Sequence, residues 1–218
     1  MRDIKINIYD HIKVLKLIND YGFIAGSKKG LLILFQNDTI TSHELNVNIL
    51  DIFIVQPFLI VPCRDIDDYQ IHIYNTQVEL NKRISLGYTA LTQSDDIALS
   101  VLKYTDQICL WYSSSSNIFE YWLSENTGPP HRTNISISGK ITLNSFELNH
   151  SFYLVVGGKN DLKVWKRENQ GNYILSASFN FETEVVNCIY LLKENQPYLI
   201  CGTSGGDISI LKLKNFGA

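Results

Sequence analysis

The chain has 218 residues, 45% of them hydrophobic and 19% charged, with a formal net charge of -3. That is enough apolar chain for one sizeable core, as one all-β domain or as two small ones. The mildly acidic balance gives no general pull toward DNA or RNA, and no apolar run nears the roughly 20 residues of a membrane span. Neither a nucleic acid nor a membrane is therefore expected as a partner. Met1 to Asp10 is polar and alternating, without the apolar core of a secretory signal. The sequons at Asn37, Asn134 and Asn149 are expected to be accidental. The expectation is a soluble intracellular protein, cytoplasmic or nuclear. Of the four cysteines none forms a CxxC pair. Cys63, Cys109, Cys188 and Cys201 lie in apolar runs, where a free thiol behaves as a small hydrophobe.

Residues 3–9, DIKINIY, alternate strictly: Ile4, Ile6 and Ile8 share one face, Asp3, Lys5 and Asn7 the other. This period predicts a half-buried strand. IKVLKLI (12–18), GFIAGS (22–27), LLILF (31–35) and TITSHEL (39–45) follow as a first set of strands, with Lys28-Lys29-Gly30 as a turn. The pattern restarts with Ile49 to Val55, Phe58 to Cys63, a turn over Arg64 to Tyr69, QIHIY (70–74) and QVELNKRISL (77–86). A third unit is expected from a strand near Tyr88 to Gln93, IALSVL (97–102), a turn at Thr105-Asp106, QICLWY (107–112) and IFEYWL (118–123). Ser124 to Gly139 holds two prolines and two glycines without periodicity and reads as a loop or a long connection. The fourth unit has ITLNSFEL (141–148), a hairpin over 153–168 and YILSASF (173–179). The fifth has VVNCIYLL (185–192), YLICGT (198–203) and DISILKL (207–213), one strand fewer than the others. No stretch has the period of an amphipathic helix.

The stretch YLVVGGKNDLKVWKRE (153–168) shows the recurring grammar: an apolar run ending in Gly157-Gly158, a polar turn, then an alternating strand. Aligned on it, the small residue closing the second strand is Gly26, Pro62, Val101, Gly157 and Gly202. The first two core positions of the third strand are Leu32 and Leu34, Ile71 and Ile73, Ile108 and Leu110, Leu162 and Val164, and Ile208 and Ile210. The bulky residue that follows is Phe35, Tyr74, Trp111, Trp165 and Leu211. Repeats of roughly 44 residues with four strands match a propeller blade.

At these positions the chain resembles the WD40-repeat family, whose signature is typified by LASGSDDGTIRLWD. FIAGSKKGLLILFQ, YLVVGGKNDLKVWK and LICGTSGGDISILK follow it. The Asp after the Trp is replaced by Gln36, Asn75, Tyr112, Lys166 and Lys212, and the Gly-His pair survives at best as Asp10-His11. The resemblance implies an all-β fold of four-stranded antiparallel blades. Five units and a spare strand at residues 3–9 point to a five-bladed ring closed by that strand in the last blade, which removes two open sheet edges. A fragment of a larger propeller, or an open propeller completed by another chain, are the alternatives.

The sequence carries no recognisable catalytic motif. Glycan hydrolysis would need carboxylates converging at about 5–9.5 Å; Asp51, Asp95, Asp96 and Glu184 are the candidates, each also readable as a turn or solvated residue. His11, His43, His72, His131 and His150 lack metal-ligand spacing. His72 alternates with Ile71 and Ile73, so it is exposed or lies between blades. Gly202 to Asp207 lacks the Lys-Ser/Thr of a phosphate loop and reads as a tight turn. No FRRG lipid motif, metal site or cofactor site is expected. Lys28-Lys29, Lys163 with Lys166-Arg167, and Lys212 with Lys214 read as solvated faces, with an RNA-associated subunit as a weaker alternative.

The resemblance implies a non-enzymatic scaffold or adaptor subunit that binds proteins or peptides. In the WD40-like layout the turns between second and third strands share one rim with the connections between blades. Arg64, Asp67, Tyr69, Tyr104, Lys159 and Asn160 are expected there. Pro129, Pro130, His131 and Arg132 are expected beside them, as a semi-rigid tip of the Ser124–Gly139 loop.

Overall fold

In the computed structural model the described residues are 10–19, 22–36, 39–65, 68–75, 78–85, 98–105, 107–114, 117–123, 129–136, 141–168 and 171–214. They fall into two units, one within residues 1–90 and one within 91–218. Among them every regular element is a strand and all pairing is antiparallel, as the period-two patterning requires. The expected strand at residues 3–9 and the one near Tyr88 to Gln93 lie outside the described residues.

The first unit holds two sheets. Sheet one is β1 (Ile12–Asn19), β2 (Gly22–Ser27), β3 (Leu31–Gln36) and β4 (Thr39–Glu44), in that order. Sheet two is β5 (Asn48–Ile49), β7 (Phe58–Asp65), β8 (Asp68–Asn75) and β9 (Leu80–Ser85), with β6 (Phe53–Val55) also on β7. The strand expected over Ile49–Val55 is thus broken in two. Leu50 N donates to Pro62 O at 2.9 Å, but Pro62 has no N–H to return and the ladder lapses there. One face of each sheet meets the other through Val14, Ile24, Leu32, Ile49, Ile52, Leu59, Val61 and Tyr74. A Cβ on Gly26 would stand 2.9 Å from Ile49 Cγ2, so only glycine allows this approach. His72 is buried on that face, 1% exposed. Its Nδ1 meets the Tyr74 hydroxyl at 2.9 Å and its Nε2 meets Gln70 Oε1 at 2.7 Å. Burial first, then the charge of Arg83, lowers its pKa.

The second unit holds three sheets. Sheet three is β10 (Leu99–Tyr104), β11 (Gln107–Ser114), β12 (Asn117–Leu123) and β13 (His131–Ser136). Sheet four is β14 (Thr142–Leu148), β15 (Ser151–Gly157), β16 (Asp161–Arg167) and β17 (Tyr173–Asn180). Sheet five has β18 (Val185–Lys193), β19 (Gln196–Thr203) and β20 (Ile208–Lys212). Trp111, Ile118, Ile135, Leu143, Leu154 and Val156 fill the space between sheets three and four. Phe146, Val155, Leu162, Val164, Cys188, Leu199 and Cys201 fill that between four and five. Burying each large aliphatic side chain stabilises by roughly 1.5–3 kcal/mol. All four cysteines are buried and free.

Sheet three corrects the third repeat. Residues 97–102 and 107–112 were expected as its second and third strands; among the described residues β10 is its first strand and β11 its second. IFEYWL, expected as the fourth, lies in β12, the third. The fourth comes from inside the expected Ser124–Gly139 loop: β13 pairs with β12, Glu120 opposite His131 and Phe119 opposite Arg132. Thr133 and Ile135 point inward while Arg132, Asn134 and Ser136 stay exposed. Thr133 Oγ1 donates to Ile118 O at 2.8 Å. Val101 and the Ile108–Trp111 stretch therefore do not share the strand positions of Gly157 and Leu162–Trp165.

Candidate interaction surface

β16 sorts its side chains by alternation. Leu162 and Val164 are buried toward sheet five, which leaves Lys163, Trp165 and Arg167 in a row on the other face, toward sheet three. The two ends of that row behave differently.

At one end is a saturated polar clamp. Glu120 on β12 is 2% exposed. Arg167 Nη2 donates to its Oε1 at 2.8 Å and Arg167 Nε to its Oε2 at 3.0 Å. Trp122 Nε1 donates to Oε1 at 2.6 Å. The Tyr173 hydroxyl donates to Oε2 and accepts from Trp111 Nε1. Burial would raise the Glu120 pKa, but the hydrogen bonds from Arg167, Tyr173 and Trp122 outweigh it and hold the carboxyl below its usual range. Burial and the neighbouring Glu120 charge push Tyr173 up. Asn134 on β13 exchanges hydrogen bonds with the Tyr173 backbone at 2.9 Å each way. A carboxylate so occupied has no lone pair to spare for acid–base work. It fastens β12 to β16 and β17.

At the other end the space between the sheets opens. A cavity of about 370 Å³ is lined by Ile135, Ser136, Ile141, Val156, Gly158, Lys159, Asn160, Asp161, Lys163, Trp165 and Asn180. The β15–β16 turn that rims it is rigidly built. Gly158 N donates to Asp161 O at 2.8 Å, and Phe181 N to Asn160 O at 2.8 Å. The Asn160 amide reaches Glu182 O at 3.3 Å. A Cβ at Gly157, the last residue of β15, would stand 2.5 Å from Cγ2 of Thr142 opposite it on β14, so the close approach there uses glycine. Lys163 Nζ pairs with Asp161 at 2.6 Å. Trp165 Nε1 is buried and has no hydrogen-bond partner among the described residues.

The residues expected to share one rim do not all do so. Lys159 and Asn160 rim this cavity. Arg64 and Tyr69 sit opposite each other across the β7–β8 hairpin of the first unit, the guanidinium 5.4 Å from the ring centroid. Asp67 lies outside the described residues. Tyr104 ends β10 at the turn between first and second strands. Its ring meets Phe152 edge-on at 4.7 Å, and Trp122 packs on the same Phe152. That is the opposite end of the strands from Lys159. Pro129, Pro130, His131 and Arg132 lead from β12 into β13, at that same opposite end. The shifted strand count explains both displacements. Among the proposed carboxylates, Asp51 pairs with Lys16 at 3.1 Å; Asp95 and Asp96 lie outside the described residues. The clamp is not evident from the sequence, and Arg167, expected on a solvated face, is instead the partner of buried Glu120. Glu120 shares a strand face with Ile118, and that alternation was the available signal for a buried charge in need of a partner.

No family model matches the chain, and no curated protein matches it. Solved structures do. The crystal structure of BBS1N in complex with ARL6DN, soaked with mercury, matches 98% of this chain and 68% of that one, with a TM-score of 0.69 at 10% identity. The same complex soaked with lead matches 94% and 66%, with a TM-score of 0.64 at 12% identity. At such identities the likeness is one of fold. With the five antiparallel sheets it is consistent with a β-propeller.

Proposed function

We propose that the chain is a non-enzymatic protein-interaction module, a WD40-like propeller serving as scaffold or adaptor subunit of a larger intracellular complex. The observation that carries this reading is the open cavity beside the β15–β16 turn, an apolar floor under a polar lip. Its volume is at the lower end of ligand pockets, about 300–1,000 Å³, which suits a few side chains of a partner. The solved neighbours support the reading, because both were crystallised in complex with another protein. The same reading takes residues 1–218 as one domain, a five-bladed ring in which residues 3–9 supply the outer strand of sheet five. Affinity purification of the tagged full chain from cytoplasmic and nuclear extracts, with quantitative mass spectrometry, tests it. At least one protein should be recovered in stoichiometric amount. Recovery of none from either extract would overturn the proposal.

A further inference from the structure

Resting on the interaction reading, we infer that the cavity between sheets three and four takes an extended peptide carrying a large apolar side chain beside an acidic one. Three observations converge. The first is shape: Ile135, Ile141 and Val156 form an apolar floor, and the indole of Trp165 lines the same space. The Glu120–Arg167 clamp fastens the far end, so the walls are pre-organised and little entropy is lost on docking.

The second is what the Trp165 indole presents to the cavity. The chain has three tryptophans. Trp111 and Trp122 give their N–H groups to Tyr173 and Glu120. Trp165 Nε1 is as hidden from solvent but has no acceptor among the described residues. With the N–H out of reach, the part of the Trp165 indole that lines the cavity is carbon, which suits a large apolar side chain.

The third is charge. Lys163 is held by Asp161, while Lys159 at the lip is exposed and has no ion-pair partner among the described residues. The Asn160, Asn180 and Ser136 side chains add neutral polar groups around it. A carboxylate beside the apolar anchor meets the unspent ammonium. A basic peptide would meet like charge.

The test pans a phage-displayed library of random twelve-residue peptides against the folded full chain. Enriched peptides are then titrated by fluorescence anisotropy against wild type and variants of unchanged melting temperature. The expected result is enrichment of sequences pairing Asp or Glu with Leu, Ile or Phe. Lys159→Glu should weaken their binding at least tenfold, Trp165→Phe should weaken it severalfold, and Arg64→Ala should leave it unchanged. Lys159 is exposed, so its variant keeps the test alive if Trp165→Phe fails to fold. Enrichment of basic or wholly polar peptides, or equal binding by wild type and Lys159→Glu, overturns the inference while leaving the interaction reading in place. Absence of any enriched peptide also overturns it; only a failed affinity purification removes the interaction reading as well.

Discussion

Glu120→Gln should be among the most damaging single substitutions that leave side-chain size unchanged. The variant removes the charge and puts an NH₂ group where a carboxylate oxygen now accepts from Arg167, Trp122 or Tyr173. One donor must then face another, and the Arg167 guanidinium loses its counter-ion. Breaking a buried pair by removing one partner costs about 3–5 kcal/mol. The Arg167 side chain is still 23% exposed, so water recovers part of the loss and about 3 kcal/mol is expected. For a chain of this length that lowers the melting temperature by roughly 6–12 °C. Because the damage lies in the orphaned charge, Glu120→Leu/Arg167→Met should be more stable than Glu120→Gln alone. The pH dependence has a fixed sign. The Glu120 pKa is lowered on folding, so the unfolded state takes up the proton first. The clamp's contribution is complete above the ordinary carboxylate value of 4.5 and is lost as pH falls through the lower folded value. Urea titrations at neutral pH and below pH 4.5 measure both effects. A Glu120→Gln midpoint matching wild type, with the double variant weaker still, would refute the orphaned-charge argument.

His72 adds a second loss of stability in acid, that of a buried neutral imidazole. Its pKa falls below the ordinary 6.5 on folding, so stability should decline as pH drops below that value, by up to about 1.4 kcal/mol per pH unit; a His72→Gln variant whose melting temperature shows the same slope would count against this. Trp111→Phe and Trp165→Phe should separate in thermal melts. The first strips the Tyr173 hydroxyl of a donor and should cost about 1 kcal/mol, whereas the second removes a donor with no acceptor and should leave stability within about 0.5 kcal/mol; equal losses would show that Trp165 Nε1 is satisfied. Deleting residues 1–9 should lower the melting temperature and promote aggregation, since Ile4, Ile6 and Ile8 alternate in sequence and burial of one such side chain is worth roughly 1.5–3 kcal/mol; a truncated chain that stays monodisperse with an unchanged melt would remove residues 3–9 from the proposed ring.

Local alternation was enough to read most of the strands. β2 and β3, and β15 and β16, follow directly from short apolar runs, alternating in β16, around a turn that contains glycine. A two-residue period says which face a side chain takes, since that depends only on the backbone geometry of its own strand. It says nothing about which place in a sheet the strand will take. Hence alternation alone places β10 and β11 one position late among the described strands, and the turn chemistry of Pro129-Pro130 masks the short Thr133–Ile135 alternation of β13. The candidate site needed more distant information still. Glu120 and Arg167 are separated by 47 positions, and neither carries a local mark of the other. Only when sheets three and four pack does the carboxylate find its guanidinium. The same packing leaves Trp165 N–H buried without an acceptor among the described residues while Trp111 and Trp122 find theirs. Faces are decided within a strand, by covalent geometry; clamps and cavities are decided between sheets, by which side chains the packing brings within hydrogen-bond reach.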